Sequence, residues 1–167
     1  YLDCAGLPFE RFMREGFEGH TATLGDFALH LSTIFPDARL KQHLEVRGAD
    51  MSSPEYAKAL SAFHVGLLYD EEALTATLEL FEGVSAEALW AVRERVDEEG
   101  FEATLAGRSL GAWAQELVSL AQEGLSRWEP EALALLTPLA EAVAEGRCPA
   151  DTNRELWSQG IDALMEG

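Results

Sequence analysis

Helix-start signals recur along most of this chain, each followed by an apolar stripe at helical spacing. Together they commit it to a mainly α fold. Thr23 precedes Leu24-Gly25-Asp26, a Thr-x-x-Asp capping pattern, and the helix that follows carries Phe27, Leu31 and Ile34 on one face before ending near Pro36. Ser52 and Glu55 form a second capping box with Pro54 just inside, opening a helix to about Tyr69 with Leu60, Phe63, Leu67 and Leu68 as its stripe. Asp70 caps a helix ending at Gly83, and Ser85 caps one running through Trp90 to Gly100. Ser109 begins a long amphipathic segment marked by Leu110, Trp113, Leu117, Leu120, Ala121 and Leu125. Helices over 8–15, 130–145 and 149–165, each opened by a Pro, complete the set. Helices joined by short loops pack as antiparallel hairpins, so 51–167 is expected to be a helical bundle.

One stretch breaks the pattern. Over Leu40-Lys41-Gln42-His43-Leu44-Glu45-Val46-Arg47 the period switches to two, the signature of a strand. Leu40, Leu44 and Val46 fall on one face, with Gln42 as the imperfection; Lys41, His43, Glu45 and Arg47 fall on the other. Same-face neighbours on a strand lie roughly 6.5–7 Å apart, so a carboxylate and a guanidinium so placed can touch one group of moderate size, such as a phosphate. An all-charged strand face is also what a solvent face with cross-strand ion pairs looks like, and from pattern alone that reading is the stronger.

Charge and composition narrow the function classes. Twelve Lys and Arg against thirty Asp and Glu give a net charge of −18, which repels polyphosphate backbones and anionic membrane surfaces; neither nucleic acid nor membrane is an expected partner. The 47% apolar content is enough for a core, and no apolar run is long enough to span a bilayer. One domain over 1–167 is the expectation, with the strand and its preceding helices in 1–50 and the helical region in 51–167. The start, Tyr1-Leu2-Asp3-Cys4, is neither an initiator Met nor a signal peptide, so a piece of a longer chain is expected. Cys4 and Cys148 are far apart and outside any C-x-x-C; two free thiols in a reducing cytoplasm are favoured over a bridge.

Several chemistries lack their motifs. There is no P-loop, no G-x-G-x-x-G and no G-x-S-x-G. His20, His30, His43 and His64 form no H-E-x-x-H and have no paired cysteines, which argues against zinc. Asp26 and His30 stand i, i+4 and could be a base with its orienting partner, though a local hydrogen bond is the commoner meaning of such a pair.

The run from Thr23 to Asp50 (TLGDFALHLSTIFPDARLKQHLEVRGAD) resembles a block of the plant-type (type 2) glutamate–cysteine ligase family, DW-x-x-HL-[ST]-T-x-FPE-x-RLK-x-x-LE-x-RGAD. Val65–Asp70 (VGLLYD), Tyr1–Gly6 (YLDCAG) and Gly146–Ala150 (GRCPA) resemble further segments of that family, so the likeness runs over essentially the whole chain. It departs from the family where Met51-Ser52-Ser53-Pro54 stands in place of GGPW, beside the expected site, and where Phe27 replaces the Trp of DW.

The resemblance implies the C-terminal part of a glutamine-synthetase-like α+β catalytic fold, with one active-site strand followed by a helical bundle. It also implies an ATP-dependent ligase in which Mg²⁺-ATP phosphorylates the γ-carboxylate of glutamate and the amine of cysteine attacks the acyl phosphate. By the family pattern Glu45 is a magnesium ligand and Arg47 the catalytic contact to the transferred phosphate or the glutamate carboxylate. Arg39 and Lys41 add positive potential for substrate or phosphate, and His30 orients the strand from behind. Hard oxygen ligands suit Mg²⁺, and fixed positive charge suits a transferred phosphoryl group. Most of the family's metal carboxylates and its nucleotide-binding sheet precede this segment, so the piece is expected to be inactive without the remainder of its parent chain. A non-catalytic acidic helical module that keeps the family scaffold for interaction or regulation is the competing reading.

Overall fold

The computed structural model describes residues 3, 4, 6–50 and 52–162. Tyr1, Leu2 and Ala5 of the N-terminal motif, Met51 of the altered loop, and 163–165 of the last expected helix lie outside the described residues. The architecture is mainly helical with two small antiparallel sheets. Among the described residues no helix is long and apolar enough to cross a membrane. The chain divides into two compact units, Tyr1–Asp50 and Met51–Gly167.

The first unit holds helices α1 (Phe9–Glu15) and α2 (Leu24–Ser32) and strands β1 (Ala38–Leu40) and β2 (Leu44–Val46). Helix α1 stops at Gly16, whose φ of 70° is the left-handed backbone that glycine adopts without strain. Thr23 and Asp26 close the predicted capping box on α2: the Thr23 hydroxyl accepts from Asp26 N–H, and Asp26 accepts from Thr23 N–H at 2.8 Å. The Thr23 hydroxyl also donates to Asp26 Oδ2 at 2.7 Å, and that bond first, then the one from Thr23 N–H, holds the Asp26 carboxyl below its ordinary range. Phe9 joins the two helices by stacking face to face on His30, with ring centroids 4.2 Å apart, while Phe27 lies 6.0 Å away.

The stretch expected as one strand is a hairpin. β1 pairs antiparallel with β2 in the register Ala38 to Val46, Arg39 to Glu45 and Leu40 to Leu44. Lys41, Gln42 and His43 form the turn, closed by Lys41 N–H donating to the His43 carbonyl at 2.9 Å. Leu40 and Leu44 do share a face, because they are directly opposed across the pair rather than spaced along one strand. The polar Gln42 that interrupts the apolar alternation falls at the turn, which removes the imperfection in the pattern.

The second unit comprises α3 (Pro54–Leu68), α4 (Glu71–Leu80), α5 (Ala86–Arg93), α6 (Val96–Glu99), β3 (Thr104–Leu105), β4 (Arg108–Ser109), α7 (Leu110–Trp128), α8 (Thr137–Glu145) and α9 (Pro149–Gln159). Asp70, Ser85 and Ser109 cap α4, α5 and α7 as expected. The cap of α3 is Ser53, not Ser52, because Ser53 places its hydroxyl before Pro54 and accepts from Tyr56 N–H. The helix expected to Gly100 breaks after Arg93, and the one expected from 130 begins as a 3₁₀ segment over Pro130–Leu136. Between α6 and α7, Ala106 and Gly107 take φ of 52° and 79° and turn β3 into β4, a hairpin that the helical periodicity did not announce.

Its main core brings Ala62 and Leu67 of α3 onto Ala121 and Leu125 of α7 and onto Leu136. The two helices cross at glycines: a Cβ on Gly66 would strike the Ala121 carbonyl, and one on Gly124 would strike the Gly66 carbonyl. A smaller core gathers Val92, Ala103, Leu105 and Trp113, with Phe81 stacked on Trp113 at 5.0 Å and the indole N–H donating to the Leu105 carbonyl at 3.0 Å.

Candidate functional site

The hairpin register does the assembling. Because Arg39 opposes Glu45, their side chains rise from the same face, and Arg47, two residues beyond Glu45, rises beside them. Glu45 Oε2 accepts from Arg39 Nε at 3.0 Å and Nη2 at 2.9 Å, and its Oε1 accepts from Arg47 Nη1 at 2.7 Å. Lys41 Nζ reaches the same carboxylate at 3.5 Å from the turn. Arg39 and Glu45 are half-buried. Hydrogen bonds from Arg39 and then Arg47, helped by the charges of Arg39 and Lys41, pull the Glu45 carboxyl down to about 2. Glu45 is therefore ionised throughout the neutral range, and the carboxylate spaces the guanidinium groups.

Four of the five residues singled out from sequence, Arg39, Lys41, Glu45 and Arg47, converge on one point. The fifth does not join them by any hydrogen bond among the described residues: His30 sits on α2, its ring against Phe9. Asp26 is occupied in its capping box and makes no pair with His30 there. Two features of the cluster escaped the sequence reading. Phe35 lies under the Arg47 guanidinium, 5.0 Å from ring centroid to Cζ, and Arg47 N–H donates to the Asp37 carbonyl at 2.7 Å, closing the base of the hairpin. The signal was present in Phe35-Pro36, since proline holds the preceding residue in extended backbone next to the strand.

Three cations around one anion leave this cluster at +2 within a chain of −18. Such an arrangement can chemically accommodate an anion, because planar guanidinium forks suit phosphate or carboxylate. It does not by itself fit a magnesium ion. Hard cations need several oxygen ligands, whereas here one carboxylate already carries donors on both oxygens. Among the described residues no three His, Cys, Asp or Glu side chains come together as metal ligands. Two surface hollows lie elsewhere, in the second unit. One runs along Glu71, Glu72 and Glu79 and repels anions; the other is lined by Tyr56, Glu145, Arg147 and Cys148. Neither includes a residue predicted for the site.

The hairpin lies inside a stretch that matches a known family. Residues 5–167 fit the family described as glutamate-cysteine ligase family 2. The chain belongs to that family. It is 39% identical to the chloroplastic glutamate–cysteine ligase of Solanum lycopersicum and 38% identical to that of Nicotiana tabacum, in each case over 99% of this chain and 33% of the relative. The Arabidopsis thaliana enzyme of the same name is 34% identical over the same shares. The chain thus spans about a third of the length of these relatives.

The relatives also correct the expected cytoplasmic location, because they are named chloroplastic. That expectation rests on the sparse cysteines. Cys4 and Cys148 are indeed free, but free thiols report a reducing environment and cannot distinguish one reducing compartment from another.

Proposed function

We propose that this chain is the C-terminal region of a longer ATP-dependent ligase that joins the γ-carboxylate of glutamate to the amine of cysteine. The observation that carries the reading is the +2 cluster of Arg39, Lys41, Glu45 and Arg47, standing within the stretch that matches the glutamate–cysteine ligases. In this reaction a γ-carboxylate oxygen attacks the terminal phosphorus of ATP and ADP leaves. The cysteine nitrogen then attacks the acyl carbon, phosphate leaves, and the nitrogen gives up a proton. In the first step charge is spread over the oxygens of the transferred phosphoryl group and collects on the departing ADP; in the second it collects on the departing phosphate; fixed guanidinium groups stabilise it without reorganising.

Arg47 is the residue assigned to that phosphoryl group or to the substrate carboxylate. Arg39 and Lys41 supply further positive potential, and Glu45 keeps both guanidinium groups in register. Magnesium and ATP would bind the whole ligase; Glu45, with both oxygens accepting from arginines, does not by itself hold the metal, whose ligands would come chiefly from outside these residues. The exposed apolar face of the hairpin supports membership in a larger sheet of the glutamine-synthetase-like kind: Leu40, Leu44 and Val46 are 83%, 54% and 45% exposed, more than a finished sheet leaves open. The remainder of the parent chain is the partner that covers it.

The test is ADP release by the parent-length protein with Mg²⁺-ATP, glutamate and cysteine, beside Arg47→Ala and Glu45→Ala. Release that needs both amino acids and is lost in both variants supports the reading. Glutamate-dependent release without a need for cysteine keeps the phosphorylation and assigns another amine, as the Met51–Pro54 departure from the family loop would allow. No release from folded protein leaves the acidic helical module. One observation favours that alternative: twenty-two of the thirty acidic residues lie after Asp50, in a unit that has its own core.

A further inference from the structure

Arg47 and Arg39 are held differently. Arg39 gives two hydrogen bonds to Glu45 Oε2 and stands over no aromatic ring among the described residues, whereas Arg47 gives one bond to Glu45 Oε1 and rests over the Phe35 ring. Phe35 is 69% exposed, so its ring is not placed there by a core. A proline biases the residue before it toward extended backbone, and the bond from Arg47 N–H to the Asp37 carbonyl pairs Arg47 with the residue two beyond Phe35 at the open end of the hairpin. A ring face attracts a guanidinium through its quadrupole and leaves the in-plane N–H groups free to donate. A carboxylate, by contrast, uses those N–H groups up.

The geometry points to Phe35 as a positioning residue for Arg47: its ring fixes the plane of the guanidinium, so that the N–H groups not given to Glu45 are presented to an incoming anion. This rests on the reading of Arg47 as an anion contact. It adds a residue that acts from beneath the guanidinium and never touches the anion.

The experiment uses the ¹⁵N-labelled parent-length protein, with Phe35→Leu and Phe35→Trp, and follows the Arg47 Nε–Hε signal before and during titration with inorganic phosphate. In the unsubstituted chain that proton is expected to be shifted upfield by the ring and to show restricted motion. Phe35→Leu, similar in bulk but without a π face, should lose the shift, free the side chain and weaken phosphate binding roughly two- to fivefold. Phe35→Trp should restore both. An Arg47 signal equally restricted in Phe35→Leu overturns the proposal, as does equal weakening in Phe35→Leu and Phe35→Trp, which would assign the effect to shape rather than to the π face. If the unsubstituted chain does not bind phosphate, it is the anion reading that fails; the Nε–Hε signal still decides whether Phe35 holds Arg47.

Discussion

In the helical unit, Leu125 and Leu136 are shut off from solvent and α3 meets α7 backbone to backbone; in the unit before Asp50 no described side chain is buried. There, Phe27, Leu29, Leu31, Ile34 and Phe35 are all at least two-fifths exposed, and order comes from a capping box, an aromatic stack and an ionic cluster. The helical unit can repay the entropy of folding with its own apolar burial, while the hairpin unit cannot. The contrast separates stability from chemistry. The charged cluster of Arg39, Lys41, Glu45 and Arg47 lies in the unit without a buried side chain among the described residues.

The largest effect that would sharpen this contrast is expected at the glycine crossing. Gly124→Ala puts a methyl group into the Gly66 carbonyl and must push the helices apart. A loss of about 3 kcal/mol or more, read from urea unfolding followed by tryptophan fluorescence, is expected. Leu125→Ala, which empties a fully buried site, should cost about 3 kcal/mol in the same assay. Ser109→Ala removes the α7 cap and should cost about 1 kcal/mol. Leu44→Ala on the exposed hairpin face should change the unfolding midpoint of the chain by less than about 0.5 kcal/mol. A loss there as large as that of Leu125→Ala would show that the hairpin has a buried role in this chain and break the comparison.

The smallest expected effect is a persistence. Glu45 is depressed from 4.5 to about 2 by the arginines, so the stability it adds is fully present above 4.5 and is lost as pH falls through about 2. A ¹³C titration of its carboxyl should find it still ionised at pH 4. A midpoint near 4.5 would mean that Arg39 and Arg47 do not hold it in solution.

Much of the helical unit was legible because its signals are local. A serine or aspartate accepting the N–H three residues on is written in a few residues, and Asp70, Ser85 and Ser109 were read as they stand. What was missed depends on partners distant in sequence or on backbone alone. The break after Arg93 and the 3₁₀ start at Pro130 leave the apolar spacing intact while changing the hydrogen bonding. At the site, residue types were legible and arrangement was not. Alternation cannot distinguish one strand of eight from two strands of three folded on a turn, and only the second puts Arg39 opposite Glu45. His30 was singled out by its place in a motif; its ring is held by an aromatic neighbour on another helix, which no motif spacing encodes.

The bare crossing of α3 over α7 has a consequence of its own. Elsewhere the distance between two helices is negotiated by side chains, and it drifts when they change. Here main-chain atoms touch, so the distance is set by a part of the polypeptide that every sequence shares. The two glycines make a datum against which any shift in the surrounding helices can be measured.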